Sequence, residues 1–372
     1  MPMKTAQLIL SDGTKFEGQS FGASKSVAGE VVFATGMTGY DMSLTDPSYA
    51  GQILVFTYPL IGNWGVPSKE NWESDRIHTK ALIVGDLTTK PSHWQMQQTL
   101  DSWCKKEGVP IISGIDTRAL TQKLRDHGVM LGKIVVDNKD IELDDPNLRN
   151  LVAEVSPKNL QIYSSSDPAL RGIGKFSKSS KNKLKIGLLN CGAKKSILRN
   201  LLERGATVYE LPWDYDPFSN NLPLDGLLIS NGPGDPKIAT KSIAIIKKSL
   251  ERKLPTFGVC LGNQLLALAA GGDTYKLKFG HRSQNQPTME VSTNRCYITT
   301  QNHGFAVDEK KLPKGFIPWF VNANDHTNEG IKHEQLPFFS VQFHPEATPG
   351  PTDTTWLFDF FFEKVRSMKK EL

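Results

Sequence analysis

Short apolar runs separated by turn residues fill the first third of the chain. Ala6-Gln7-Leu8-Ile9-Leu10, Glu30-Val31-Val32-Phe33, Gln52-Ile53-Leu54-Val55-Phe56 and Lys80-Ala81-Leu82-Ile83-Val84 are rich in β-branched and aliphatic side chains and read as strands. Two helical patterns follow, His93 to Glu107 and Thr117 to His127, the second opened by Asp116 as N-cap. Together these predict a self-contained α+β domain over residues 1–150. Between Pro157 and Lys183 the periodicity is lost in Ser, Lys, Asp and Gly, including Ser164-Ser165-Ser166 and the run from Gly174 to Lys183, which predicts a solvated linker over 151–183. Strand and helix patterns then alternate: strand Leu184 to Leu189, helix Ser196 to Arg204, strands Thr207 to Leu211 and Gly226 to Ser230, helix Ser242 to Arg252, strand Thr256 to Val259. Alternation of this kind predicts, over 184–372, an α/β domain with a mostly parallel sheet and helices on both faces. Ligands of such sheets bind beyond the carboxyl ends of the strands.

At 372 residues the chain is long enough for two domains with cores of their own. Lys and Arg exceed Asp and Glu by 44 − 39 = 5, with no dense basic stripe, which argues against nucleic acid as a partner. Cys104, Cys191, Cys260 and Cys296 lie far apart without a CxxC pair, which argues against a disulfide framework and a zinc site and for a reducing compartment. Met1-Pro2-Met3-Lys4-Thr5 leads straight into a strand pattern rather than a secretory signal, and no apolar run approaches the roughly 18 residues of a membrane span. A cytoplasmic, metal-free protein is expected.

Gly258-Val259-Cys260-Leu261-Gly262 sits between a strand pattern and the helical run Asn263 to Ala270, which ends at Gly271-Gly272. A side chain at the tip of so sharp a turn projects away from its own backbone, and glycines on both sides keep Cβ atoms out of the bend. The helix that follows aims its amides and the positive end of its dipole at the sulfur. The turn alone fits a small buried apolar residue as well as a nucleophile. By contrast, Gly187 to Lys194 only imitates a phosphate-binding loop, because Ala193 stands where that motif demands lysine.

A thiol nucleophile needs a base and a group to orient the base. The run from Phe338 reads as an apolar strand that ends at His344, with Glu346 two residues further along the same side of an extended segment. Cys260, His344 and Glu346 are thus a candidate triad, although His344 could merely end the strand and Glu346 be a surface charge. Acyl transfer also needs oxyanion donors. The Leu261 amide is one candidate, and the turn Ser230-Asn231-Gly232-Pro233-Gly234-Asp235-Pro236 could supply another or simply be a tight loop.

The elbow from Gly258 to Gln264, the loop from Ser230 to Pro236 and His344-Pro345-Glu346 together resemble the motifs of class I glutamine amidotransferases, in type and order. Gly36-Met37-Thr38-Gly39-Tyr40, Leu44 to Tyr49, Thr57 to Asn63, Gly114 to Arg118 and Gln301 to Val307 narrow the resemblance to the glutamine-hydrolysing small chains of carbamoyl-phosphate synthetases, across nearly all of the chain but the linker. The resemblance implies that Cys260 attacks the glutamine side-chain amide, with His344 as acid and base and Glu346 orienting it. It implies glutamine contacts from Ser48, Gly232, Gly234, Leu261, Gln264, Asn302, Gly304 and Phe305. It further implies docking to a large chain through the N-terminal domain, as a heterodimer or higher assembly, with ATP and Mg²⁺ used by that partner, no cofactor in this chain, and carbamoyl phosphate going to pyrimidine or arginine biosynthesis. Two positions depart from many relatives: Asn263 stands where histidine is common, and Ser283 where glycine is.

Overall fold

A computed structural model describes residues 5–164 and 183–371, which separate into two compact units. The first comprises residues 1–151 together with 278–283. In it, β1 (Thr5–Leu10), β2 (Lys15–Gly22), β3 (Val27–Ala34), β4 (Gln52–Phe56), β6 (Ala81–Val84), β8 (Pro110–Ser113) and β9 (Met130–Val136) close a barrel in the order β1-β2-β8-β6-β4-β3-β9, and β5 (Leu60–Ile61) and β7 (Asp86–Leu87) form a small separate pair. β3, β4, β6 and β8 run parallel, whereas β1, β2 and β9 join by antiparallel pairing. The barrel interior holds Leu8, Val31, Ile53, Ile83, Ile112 and Ile134, all fully buried.

Three helices accompany the barrel: α1 (Tyr40–Thr45), α2 (Leu100–Glu107) and α3 (Thr117–His127). Asp116 caps α3 by accepting from the Ala119 amide at 2.8 Å, as its position predicts. α2 is shorter than the helix expected from His93. Gln97 and Gln98 are instead drawn into backbone bonds with Val66, at 2.9 Å each, and the Thr99 hydroxyl caps the true start by accepting from Ser102 N.

Among the described residues, the second unit takes 152–164, 183–277 and 284–371. Its helices are α4 (Leu151–Val155), α5 (Lys195–Glu203), α6 (Thr240–Glu251), α7 (Leu261–Ala270) and α8 (Trp356–Glu371). Its strands are β10 (Gln161–Ser164), β11 (Lys185–Asn190), β12 (Thr207–Pro212), β13 (Gly226–Ile229), β14 (Thr256–Val259), β15 (Thr274–Glu290), β16 (Cys296–Val307), β17 (Phe316–Asn322), β18 (Asn328–His333) and β19 (Phe338–Val341). Of the stretch expected to be linker, 151–155 is helical, 161–164 pairs with β12, and 165–182 lies outside the described residues.

The described strands of this unit form one sheet, ordered β10-β12-β11-β13-β14-β19-β18-β17-β15-β16. The five from β12 to β19 are parallel, and antiparallel strands extend the sheet at both edges. Side chains alternate across the strands, so two cores form. Ile186, Leu188, Phe257 and Phe339 pack on α5 and α8, while Leu189, Leu227 and Ile229 pack on α6 and α7. Among the described residues, no helix is long and apolar enough to cross a membrane.

Candidate active site

The carboxyl ends of β11, β13, β14 and β19, four neighbours in the parallel part of the sheet, deliver the chemistry-bearing side chains to one place. Cys260 ends β14 as the residue before α7, at φ 55° and ψ −103°, a conformation that a side chain with a Cβ rarely takes. The bend leaves no room beside it. A Cβ at Gly258 would lie 2.4 Å from Gly262 O, and one at Gly262 would lie 2.3 Å from Ile229 O. Cys260 N donates to Val341 O at 2.8 Å, and Sγ lies 3.6 Å from Asn302 O, to which the thiol donates.

β19 ends at Val341, three residues before His344. His344 Nδ1 and Glu346 Oε1 are 2.6 Å apart, both groups buried. What brings them together is a turn rather than the extended segment expected, because Ala347 N bonds back to His344 O and the Thr348 hydroxyl to Glu346 O. The same Glu346 oxygen accepts from Lys194 Nζ at 2.9 Å, so the carboxylate is shared by two cationic or proton-bearing partners. Burial pushes the Glu346 carboxyl up, but the charges of Lys194 and His344 outweigh it and hold the group well below the usual carboxylate range. Burial likewise disfavours imidazolium at His344. The Glu346 carboxylate and the adjacent Cys260 overcome that and raise its basicity. His344 Nε2 is buried with no hydrogen-bond partner, leaving it available to the Cys260 side chain.

Lys194 reaches this position through the loop that imitates a phosphate-binding motif. Asn190 Oδ1 accepts from the Gly192 and Ala193 amides at 2.8 and 2.7 Å, curling the chain after β11. Lys194 N then donates to Asn231 Oδ1 at 3.1 Å, which ties this loop to the glycine turn after β13. Cys191 lies in the same loop, yet burial pushes its thiol up to about 12, which makes it a poor nucleophile.

Two family models account for most of the chain: the carbamoyl-phosphate synthase small chain, CPSase domain, over residues 8–134, and the class-I glutamine amidotransferase over residues 187–364. The carbamoyl phosphate synthase arginine-specific small chain of Emericella nidulans is 44% identical over 99% of this chain and 81% of its own length. The chain belongs to the carbamoyl-phosphate synthase small-chain family. The multifunctional protein pyr1-3 of Dictyostelium discoideum is 48% identical over 97% of the chain, and the mitochondrial carbamoyl-phosphate synthase (ammonia) of Mus musculus is 45% identical over 98%. The chain spans only 17% and 24% of the length of these two relatives.

Of the positions expected to contact glutamine, Gly232, Gly234, Leu261, Gln264, Asn302, Gly304 and Phe305 share the second unit with the triad, and Ser48 belongs to the first. A Cβ at Gly232 would lie 2.2 Å from Cys191 O and 2.8 Å from Leu261 Cδ2, so the glycine turn packs directly on the elbow. Leu261 opens α7, which places its amide at the helix N-terminus beside the sulfur. Gln264 commits both amide hydrogens internally, to Phe305 O at 2.8 Å and Gln342 Oε1 at 3.1 Å, and so fixes the strand that carries Asn302, Gly304 and Phe305. Ser48 sits in a short 3₁₀ turn, Pro47–Tyr49, where its amide donates to Asp46 Oδ1. The sequence reading missed Lys194 as a member of the site. Its only signal is a lysine two residues after Gly192, in the loop just beyond the carboxyl end of a strand in the sheet that also bears the elbow.

Proposed function

We propose that this chain hydrolyses glutamine to glutamate and ammonia and hands the ammonia to a carbamoyl-phosphate synthetase large chain. The observation that carries the reading is the strained thiol of Cys260 facing a buried imidazole whose far nitrogen is held by an ionised carboxylate. Cys260 gives its proton to His344 Nε2 as Sγ attacks the side-chain carbonyl carbon, and the developing oxyanion is met by the Leu261 amide and the glycine turn. His344 gives its proton to the departing nitrogen, so the C–N bond breaks, ammonia leaves, and a γ-glutamyl thioester remains on Cys260. His344 then takes a proton from water, whose oxygen attacks the thioester. Glutamate leaves as His344 returns that proton to the sulfur, which restores the thiol.

Glu346 keeps Nδ1 of the imidazole engaged, and Lys194 keeps Glu346 ionised. Within the second unit, glutamine is positioned by Gly232, Gly234, Leu261, Gln264, Asn302, Gly304 and Phe305. None of these steps requires a cofactor in this chain, whereas ATP and Mg²⁺ belong to the large chain, which joins ammonia to bicarbonate in a cytoplasmic heterodimer. The carbamoyl phosphate goes to pyrimidine or arginine biosynthesis, a reading supported for the second by a relative named as an arginine-specific small chain. One relative of similar identity is named for ammonia, so the use of glutamine rests on the site residues rather than on similarity along the chain.

The test is covalent capture. A diazoketone analogue of glutamine should label Cys260, identified by peptide mass, and millimolar glutamine should suppress the labelling. Labelling elsewhere, or labelling indifferent to glutamine, would overturn the assignment.

A further inference from the structure

Beneath the elbow lies a polar bridge that the chemistry above does not use. Asn263 is completely buried in the first turn of α7, three residues after Cys260. Its Oδ1 accepts from Ser340 Oγ at 2.8 Å, and its Nδ2 donates to Gln342 Oε1 at 3.2 Å. Ser340 belongs to β19, and Gln342 lies two residues before His344. Gln264 Nε2 donates to the same Gln342 oxygen, and Cys260 N donates to Val341 O between the two bridged residues. The helix bearing the nucleophile and the strand end bearing the base are therefore clamped together at three consecutive positions, 340, 341 and 342.

Buried amides often serve only to satisfy one another, but this set does not. Gln342 Nε2 is buried without a hydrogen-bond partner, a cost that a bridge built for stability alone would avoid. Unfavourable local choices of this kind collect where geometry matters more than stability. From this we infer that Asn263 is a positioning residue, which acts through Ser340 and Gln342 to set the spacing of Cys260 and His344. The inference rests on the glutamine-hydrolysis reading. It also accounts for the departure at this position, since a neutral imidazole offers one donor and one acceptor as the carboxamide does here.

The test compares glutamine hydrolysis by the full chain with that of Asn263→Leu, Asn263→His, Ser340→Ala and Cys260→Ser, each with a thermal melt. Asn263→Leu should lower kcat about tenfold and leave KM within about threefold, because alignment of the reacting groups is lost while the glutamine contacts remain. Asn263→His should stay within about threefold of the parent in kcat, because it restores both bonds. A purely structural bridge gives the opposite split, a lower Tm with kcat per folded molecule unchanged, and that result overturns the inference. So does an Asn263→His variant as impaired as Asn263→Leu. Should Asn263→Leu fail to fold, Ser340→Ala removes one bond of the same bridge. It is expected to lower kcat about threefold, and an unchanged kcat would again overturn the inference. An inactive parent, or an active Cys260→Ser, instead refutes glutamine hydrolysis itself, so the two failures are distinguishable.

Discussion

Lys194 is 2% exposed, and its ammonium meets a carboxylate that is fully buried. Breaking a buried ion pair from one side strands the other charge, at a cost of about 3–5 kcal/mol. Lys194→Met should therefore lower the melting temperature by roughly 10 °C, measured by calorimetry. The pH dependence has a definite sign. Because Glu346 titrates below its ordinary 4.5 in the folded protein, its contribution is present above that pH and is lost as pH falls through the folded value. His344 titrates above its ordinary 6.5, so its contribution is complete below that pH and is lost as pH rises through the folded value. The chain of charges thus stabilises fully between these two ordinary values. Removing Lys194 takes away the largest attraction opposing burial at Glu346, so the acid-side fall in Tm should begin at higher pH. Superimposable acid limbs for the two proteins would show that Lys194 does not hold Glu346 ionised.

The strand, elbow and helix from Thr256 to Ala270 were legible because everything that makes them is local: a short apolar run, two glycines and an uninterrupted helical stretch ending at Gly271, which takes φ 100°. Their steric reason can be tested directly. Gly262→Ala puts a methyl group 2.3 Å from Ile229 O, where backbone must move, and overpacking of this kind costs about 1–3 kcal/mol. The expected outcome is loss of glutamine-competed labelling at Cys260 together with a lower Tm, and full labelling would show that the elbow relaxes without harm. Other elements were hidden for physical reasons. β2 alternates mostly exposed and half-buried residues and looks polar, whereas β8 is a four-residue run opening on proline. Both become strands through pairing around the barrel. The turn from His344 to Ala347 and the bond from Lys194 to Glu346 were equally hidden, the latter joining positions 152 residues apart.

Parallel strands β11, β13, β14 and β19 gather groups from four separate stretches of sequence, and each stretch alone supports a bland reading. The Gly192 loop could be a failed phosphate site, the Gly232 turn a tight connection, Cys260 a core residue and His344 a strand end. Convergence at one sheet edge removes those readings together, because a buried thiol, imidazole, carboxylate and ammonium within one cluster serve no packing purpose that apolar residues would not serve better. None of those four side chains comes from the barrel unit. That unit carries the other family match, over residues 8–134. The proposed division of labour makes a sharp prediction for the assembled enzyme. Cys260→Ser should abolish carbamoyl phosphate formation from glutamine, since an alcohol in place of the thiol lacks the nucleophilicity that the step requires. Synthesis from free ammonium, ATP and bicarbonate should persist, because ammonia enters downstream of the thioester. Radiolabelled bicarbonate incorporation with each nitrogen source measures both. If the variant still uses glutamine, Cys260 is not the nucleophile. If it loses ammonia-dependent synthesis as well, the serine has damaged the assembly and the two activities are not separable as proposed.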